Sequence, residues 1–241
     1  MPNPNGPEDH ETSRSRRALR AVRSHVQPGS FPLLLFAAVL LYVLNGLAVD
    51  SMAGAILVQV ARIGVTCASI YVLSAYRLTL WLGTLVAGLV ITLEARLWAL
   101  DPQISRVLQD SMTTGFLLWV LVAVLREVFR AATTERDAVL GALCGFVLIL
   151  MVFMRLHGLL EALTPGAYQA NGPPLSACSD VMLVAIFQYF STVTLTTVGF
   201  GDIVPVTPAA RLATGLEAIV GQLYLAVVIA TLVGRVAARR G

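Results

Sequence analysis

The sequence predicts an all-α integral membrane protein of six transmembrane helices, with a short re-entrant helix and a glycine-bearing loop between the fifth and the sixth. Three observations predict it. Of the 241 residues, 57% are hydrophobic and 13% charged, with a mean hydropathy of +0.78, which leaves too little polar surface for a water-soluble domain. The apolar residues gather in six runs, each near the ~20 residues that a helix needs to cross the hydrocarbon core. Between the last two runs lies one further apolar segment, too short to cross, followed closely by Gly199 and Gly201.

Residues 1–30 are polar, broken by Pro2, Pro4, Pro7 and Pro28, and carry Arg14, Arg16, Arg17, Arg20 and Arg23. They read as a disordered basic cytoplasmic arm. The first run, 32–49, is longer than the apolar core of a secretory signal and has no small-x-small cleavage site after it, so it is a retained span. Runs at 53–75, 78–100 and 112–130 complete a four-helix transmembrane bundle over residues 31–131. The fifth run, 138–160, opens a second unit that extends to residue 236. Residues 162–179, rich in Pro, Gly, Ser and Asn, read as an exposed loop. A helix over 180–194 follows, with Ser179 or Asp180 placed to cap its free amides. After the glycine loop and the prolines Pro205 and Pro208 comes the sixth span, 209–236, and then a short basic cytoplasmic tail, 237–241. No ligand-binding domain is expected after it.

All 17 basic residues are arginine, against 14 acids and a net charge of +3. That even balance gives no footprint for nucleic acid; the placement of the arginines carries topology instead. With a cytoplasmic amino terminus, Arg77, Arg126, Arg130, Arg136, Arg235, Arg239 and Arg240 join the five of the arm inside, and Arg96, Arg106, Arg155 and Arg211 fall outside. Twelve against four puts both termini in the cytoplasm of a multi-pass cell-membrane protein and the glycine loop toward the outer face. The arm either contacts anionic lipid or serves only to fix topology.

Thr197, Val198, Gly199, Phe200, Gly201 and Asp202 form the loop. Two glycines in alternate positions reach backbone angles closed to other residues, so the segment can curl until successive carbonyls face one way. A row of such oxygens can replace the water around a dehydrated alkali cation. Residues 188–202, QYFSTVTLTTVGFGD, resemble the pore signature of the potassium channel family, and the likeness extends over about 138–234. The resemblance implies a homotetramer in which Thr197, Val198, Gly199 and Phe200 bind K+ through their carbonyls, with Gly201 completing the filter and the Thr197 hydroxyl adding an inner ring. K+ is then the permeant ligand, and no cofactor is implied. The carboxyl end of the 180–194 helix, with its partial negative charge, favours cations.

The resemblance also assigns supporting residues. Thr196 and Asp202 flank the filter. Asp202 is either a solvated mouth charge or an acid hydrogen-bonded behind the filter, and Val193 stands where some relatives carry an acid that would partner it. Tyr189 and Phe190 either brace the filter or are simple core aromatics. Phe200 replaces tyrosine, so its ring is held by packing alone. Gly221 resembles an inner-helix hinge, or else permits close packing; in that register Gln222, Leu225, Ile229 and Val233 turn toward the cavity. Glu217 is costly if buried unpaired or dry; it either makes a structural hydrogen bond, the reading preferred here, or binds a cation.

Six spans invite comparison with voltage-gated channels, yet the fourth carries only Arg126 and Arg130, near one end. At ~2.3 kcal/mol per charge per 100 mV, two snorkelling anchors make no strong sensor. Arg62 lies at mid-depth in the second span and is expected to meet Glu94 of the third, with Asn45 nearby, as a structural bond. Gly141 and Gly145 form a small-xxx-small pair for close helix approach. Cys67, Cys144 and Cys178 share no metal or disulfide spacing, and His10, His25 and His157 are isolated. Without a phosphate-binding loop or a nucleophile-base pair, the chain is not expected to be an enzyme. The expected function is passive, potassium-selective conduction. The alternatives are a weakly selective monovalent cation channel, or a membrane scaffold or transporter that keeps a pore-like loop.

Overall fold

The computed structural model describes residues 30–47, 52–73, 88, 102–130, 135–172 and 174–240. Helices α1 (Ser30–Leu47) and α2 (Met52–Leu73) pack together, as do α3 (Pro102–Arg130) and α4 (Glu135–Leu163). After α4 come strand β1 (Tyr168–Ala170), a 3-10 turn (Leu175–Ala177), the short helix α5 (Asp180–Leu195), strand β2 (Ile203–Pro205) and α6 (Pro208–Arg240). Helix α4 is the hub, touching α1, α3, α5 and α6. Gln103–Arg126, Ala138–Leu163 and Pro208–Val228 are long and apolar enough to cross a membrane, while Phe31–Leu47, Ile56–Tyr71 and Asp180–Leu195 are shorter apolar helices. The third expected span, with Glu94, and the arm up to residue 29 lie outside the described residues.

Periodicity explains the packing. On α1, Leu34, Ala38 and Leu41 recur at helical spacing and are buried against Val120 and Val124 of α3 and Leu148 and Met151 of α4 in one core. Phe36, Leu40 and Leu47 on the opposite side are exposed, as suits a helix whose surroundings are hydrocarbon. Small residues let α4 approach its neighbours: a Cβ at Gly141 would meet Val128 and Phe31, and one at Gly145 would meet Tyr224 and Leu125.

Three boundaries differ from the sequence expectation. Helix α3 starts at Pro102 rather than near 112, because proline suits a first helical position and the polar Arg106 and Asp110 find partners in Asp180 and Arg155. Helix α6 runs on to Arg240, so most of the expected tail is helical. Residues 162–179 are not simply an exposed loop. Strand β1 pairs antiparallel with β2, Tyr168 opposite Pro205 and Ala170 opposite Ile203, and Ala167, Tyr168, Leu175 and Cys178 are buried. Glu161 shapes that turn by accepting from the amides of Gly166 (2.8 Å) and Tyr168 (3.1 Å).

Candidate functional site

Helix α5 delivers the glycine loop. Its start is capped by Ser179, whose hydroxyl accepts from the Met182 amide at 3.3 Å. Its end is set by threonines that bond backward: Thr192 Oγ1 donates to the Gln188 carbonyl (2.7 Å) and Thr196 Oγ1 to that of Thr192 (2.7 Å). The free carbonyls of the last turn then take up the amides of the loop. The Val193 carbonyl accepts from Val198 (2.8 Å) and Gly199 (3.2 Å), and that of Thr194 accepts from Thr197 (2.9 Å). Among the described residues no donor reaches the carbonyls of residues 197–200.

The backbone alternates in handedness. Thr197 (φ 60°), Gly199 (φ 55°) and Gly201 (φ 77°) have positive φ, whereas Val198 and Phe200 do not. Such alternation gathers successive amides on one side and leaves the carbonyls to the other. Thr197 is β-branched and pays a steric penalty there, offset by its amide bond to Thr194 and by Gln222 of α6, whose Nε2 donates to Thr197 Oγ1 at 3.1 Å. At the far end the Asn171 amide donates to the Asp202 carbonyl (2.9 Å) and the Val206 amide to that of Ala167 (2.8 Å). The segment is thus held at entry by α5 and at exit by the hairpin.

Tyr189 and Phe190 separate in role. The Tyr189 ring stacks on Phe200 at 6.4 Å and 3° between planes. Phe190 is buried and lies edge-on to His157 at 5.0 Å, packed as a core aromatic. Gly221 packs against the end of α5, where any Cβ would overlap the Leu195 carbonyl. Gln222 and Leu225 are exposed on α6; the side chains of Ile229 and Val233 lie outside the described residues. Arg62 sits in α2, but its expected partner Glu94 is not described, and the Asn45 amide, also expected there, makes no hydrogen bond to it.

A buried polar network behind α5 escaped the sequence reading. His157 was expected to be an isolated interfacial residue; instead it is fully buried. Its Nδ1 lies 2.6 Å from the Tyr168 hydroxyl and its Nε2 2.8 Å from Glu217 Oε2. Ser191 of α5 donates to the other Glu217 oxygen and also lies 3.2 Å from the Leu150 carbonyl. Helices α4, α5 and α6 and strand β1 each give one side chain, inside a ring of Phe153, Phe187 and Phe190. Glu217 thus has the structural hydrogen bonds expected of it. Burial, reinforced by the neighbouring Glu217 carboxylate, pushes the Tyr168 phenol well above its usual range. On the other flank α1 holds α5 through Gln188 Nε2 to the Tyr42 carbonyl (2.9 Å) and through the Tyr42 and Thr192 hydroxyls, 3.1 Å apart. A polar residue amid an apolar run was the available signal at Gln188 and Glu217.

Residues 177–238, which run from before α5 almost to the end of α6, match a protein-family model described as ion channel. No curated protein and no solved structure matches the chain significantly. The helix, loop and helix that hold the candidate site are therefore the part of the chain that is similar to an ion channel domain, and they are carried on apolar helices, three of them long enough to cross a membrane.

Proposed function

We propose that this chain is one subunit of a homotetrameric channel that conducts K+ passively across the cell membrane. The observation that carries the reading is the segment 197–201, in which the amides of Thr197, Val198 and Gly199 are taken up by the last turn of α5 while, among the described residues, no donor reaches the carbonyls of residues 197–200. Four such segments around an axis give stacked rings of dipoles that substitute for the hydration shell of K+. The single chain supports closure by copies: Val198 is 53% and Phe200 69% exposed. In this reading both termini are cytoplasmic, the segment lies toward the outer face, and Gln222 and Leu225 line the inner cavity.

Purified protein in planar bilayers with unequal K+ and Na+ tests it. The reversal potential is expected to follow the K+ gradient, and one indifferent to which cation is present would sink the selectivity. One observation favours a second reading, a weakly selective cation channel: Phe200 lacks a hydroxyl, and its ring stacks on Tyr189. A reversal potential midway between the two gradients would favour that reading.

A further inference from the structure

A cavity of about 300 Å³ lies where α1, α2, α3, α4 and the outer half of α5 meet, away from the segment 197–201. Its volume is at the low end for a small-molecule site and many times the share of one water. Val58, Met154, Leu183, Val184 and Phe187 give it apolar walls. At its polar end is Asn45, only 2% exposed, with neither Nδ2 nor Oδ1 hydrogen-bonded. Buried amides are almost always satisfied, so an orphaned donor and acceptor on one side chain facing a cavity point to a ligand.

The wall's charges narrow the class. Arg155 pairs with Asp110 at 3.1 Å, Arg106 pairs with Asp180, and Glu161 accepts two backbone amides. Arg62 acts on the same Asp110 carboxylate. Three arginines thus face three acids already engaged, and a charged head group finds no counter-charge waiting. The guanidinium charges on the wall are balanced, although the Arg155 Nε–H makes no hydrogen bond; among the described residues, Asn45 alone on that wall leaves both a donor and an acceptor unanswered, and a hydroxyl supplies partners for both. We propose that this cavity binds an uncharged amphiphile, its hydroxyl head on Asn45 and its hydrocarbon chain against Val184 and Phe187 of α5. The proposal rests on the cavity and not on the conduction reading.

The test uses the full chain in lipid nanodiscs, a diazirine-bearing octanol as probe, and peptide mass spectrometry after illumination. Saturable adducts on the α4 and α5 walls, displaced by excess 1-octanol but not by octanoate, are expected. Asn45→Leu keeps the volume while removing both head contacts, and should weaken apparent affinity about thirty-fold, the effect of two lost hydrogen bonds. Val184→Trp should fill the cavity and abolish the adducts, with size-exclusion profiles checking that each variant assembles. Absence of wall adducts in the parent protein would mean that the cavity holds water only and would overturn the proposal. Unchanged affinity in Asn45→Leu would overturn it as well, and equal displacement by octanoate would overturn the neutral head. If Asn45→Leu does not assemble, the competition and Val184→Trp arms still decide. No current is measured, so this outcome and that of the conduction test are independent.

Discussion

At Gly221 a hydrogen atom is all that separates α6 from the carbonyl end of α5, since any Cβ there would overlap the Leu195 oxygen. Backbone cannot yield as a flexible side chain does, so Gly221→Ala is expected to destabilise the packed unit by about 1–3 kcal/mol. A lowered melting temperature in detergent checks this; an unchanged one would mean that the helices separate freely. In the glycine loop, Gly201 at φ 77° has no atom of the described residues placed to obstruct a methyl group, so Gly201→Ala meets only the left-handed penalty of about 1–2 kcal/mol. The expected result is a subunit that still assembles but whose current is lost or unselective. The glycine pattern was legible because it is local. The separation of Tyr189 from Phe190 was not, because consecutive helical residues point about 100° apart and only the packed structure shows which one meets Phe200.

Among elements, the His157 and Glu217 pair locks α4 to α6, and Ser191 ties both to α5. Removing one partner of a buried pair typically costs about 3–5 kcal/mol because the other is left uncompensated. Glu217→Leu is therefore expected to prevent assembly or melt far below the parent, whereas Glu217→Gln, which keeps hydrogen-bonding capacity, should retain most of the stability. Equal loss in both variants would show that charge, not hydrogen bonding, holds the junction. The Tyr168 phenol adds a pH signature. Its folded value is raised, so the folded state holds this proton more tightly than the unfolded chain; the stability it contributes is full below about pH 10, the unfolded value, and is lost as pH rises further. Alkaline melting curves should show that fall, and Tyr168→Phe should remove it. Sequence reading placed the helices because their periodicity is local. It missed this network because the bonds from His157 reach 11 residues to Tyr168 and 60 to Glu217, separations that no spacing rule links.

On the scale of the whole molecule, two arginines at the junction of α3, α4 and α5 are occupied as structural ties. Arg106 of α3 is bound to Asp180 of α5, and Asp110 of α3 holds Arg155 of α4. Charges fixed in this way do not cross the field, so the conductance is expected to vary little with voltage; a steep conductance–voltage curve would contradict that. The remaining large-scale question is how many copies close the pore, and subunit dosage answers it. Gly201→Asp places a carboxylate and a Cβ where φ is 77°, and one such subunit is enough to spoil a shared filter. If parent and variant chains are made in equal amounts and mix at random, only all-parent assemblies conduct. A ring of four then keeps about one-sixteenth of the current, a dimer about one-quarter and a monomer one-half, because closed symmetry requires the same contribution from every copy. Current falling to the one-sixteenth level, with total protein at the surface unchanged, is the result expected of four carbonyl segments sharing one axis. A fall only to one-half would place the whole conduction path within a single chain, against the exposure of Val198 and Phe200.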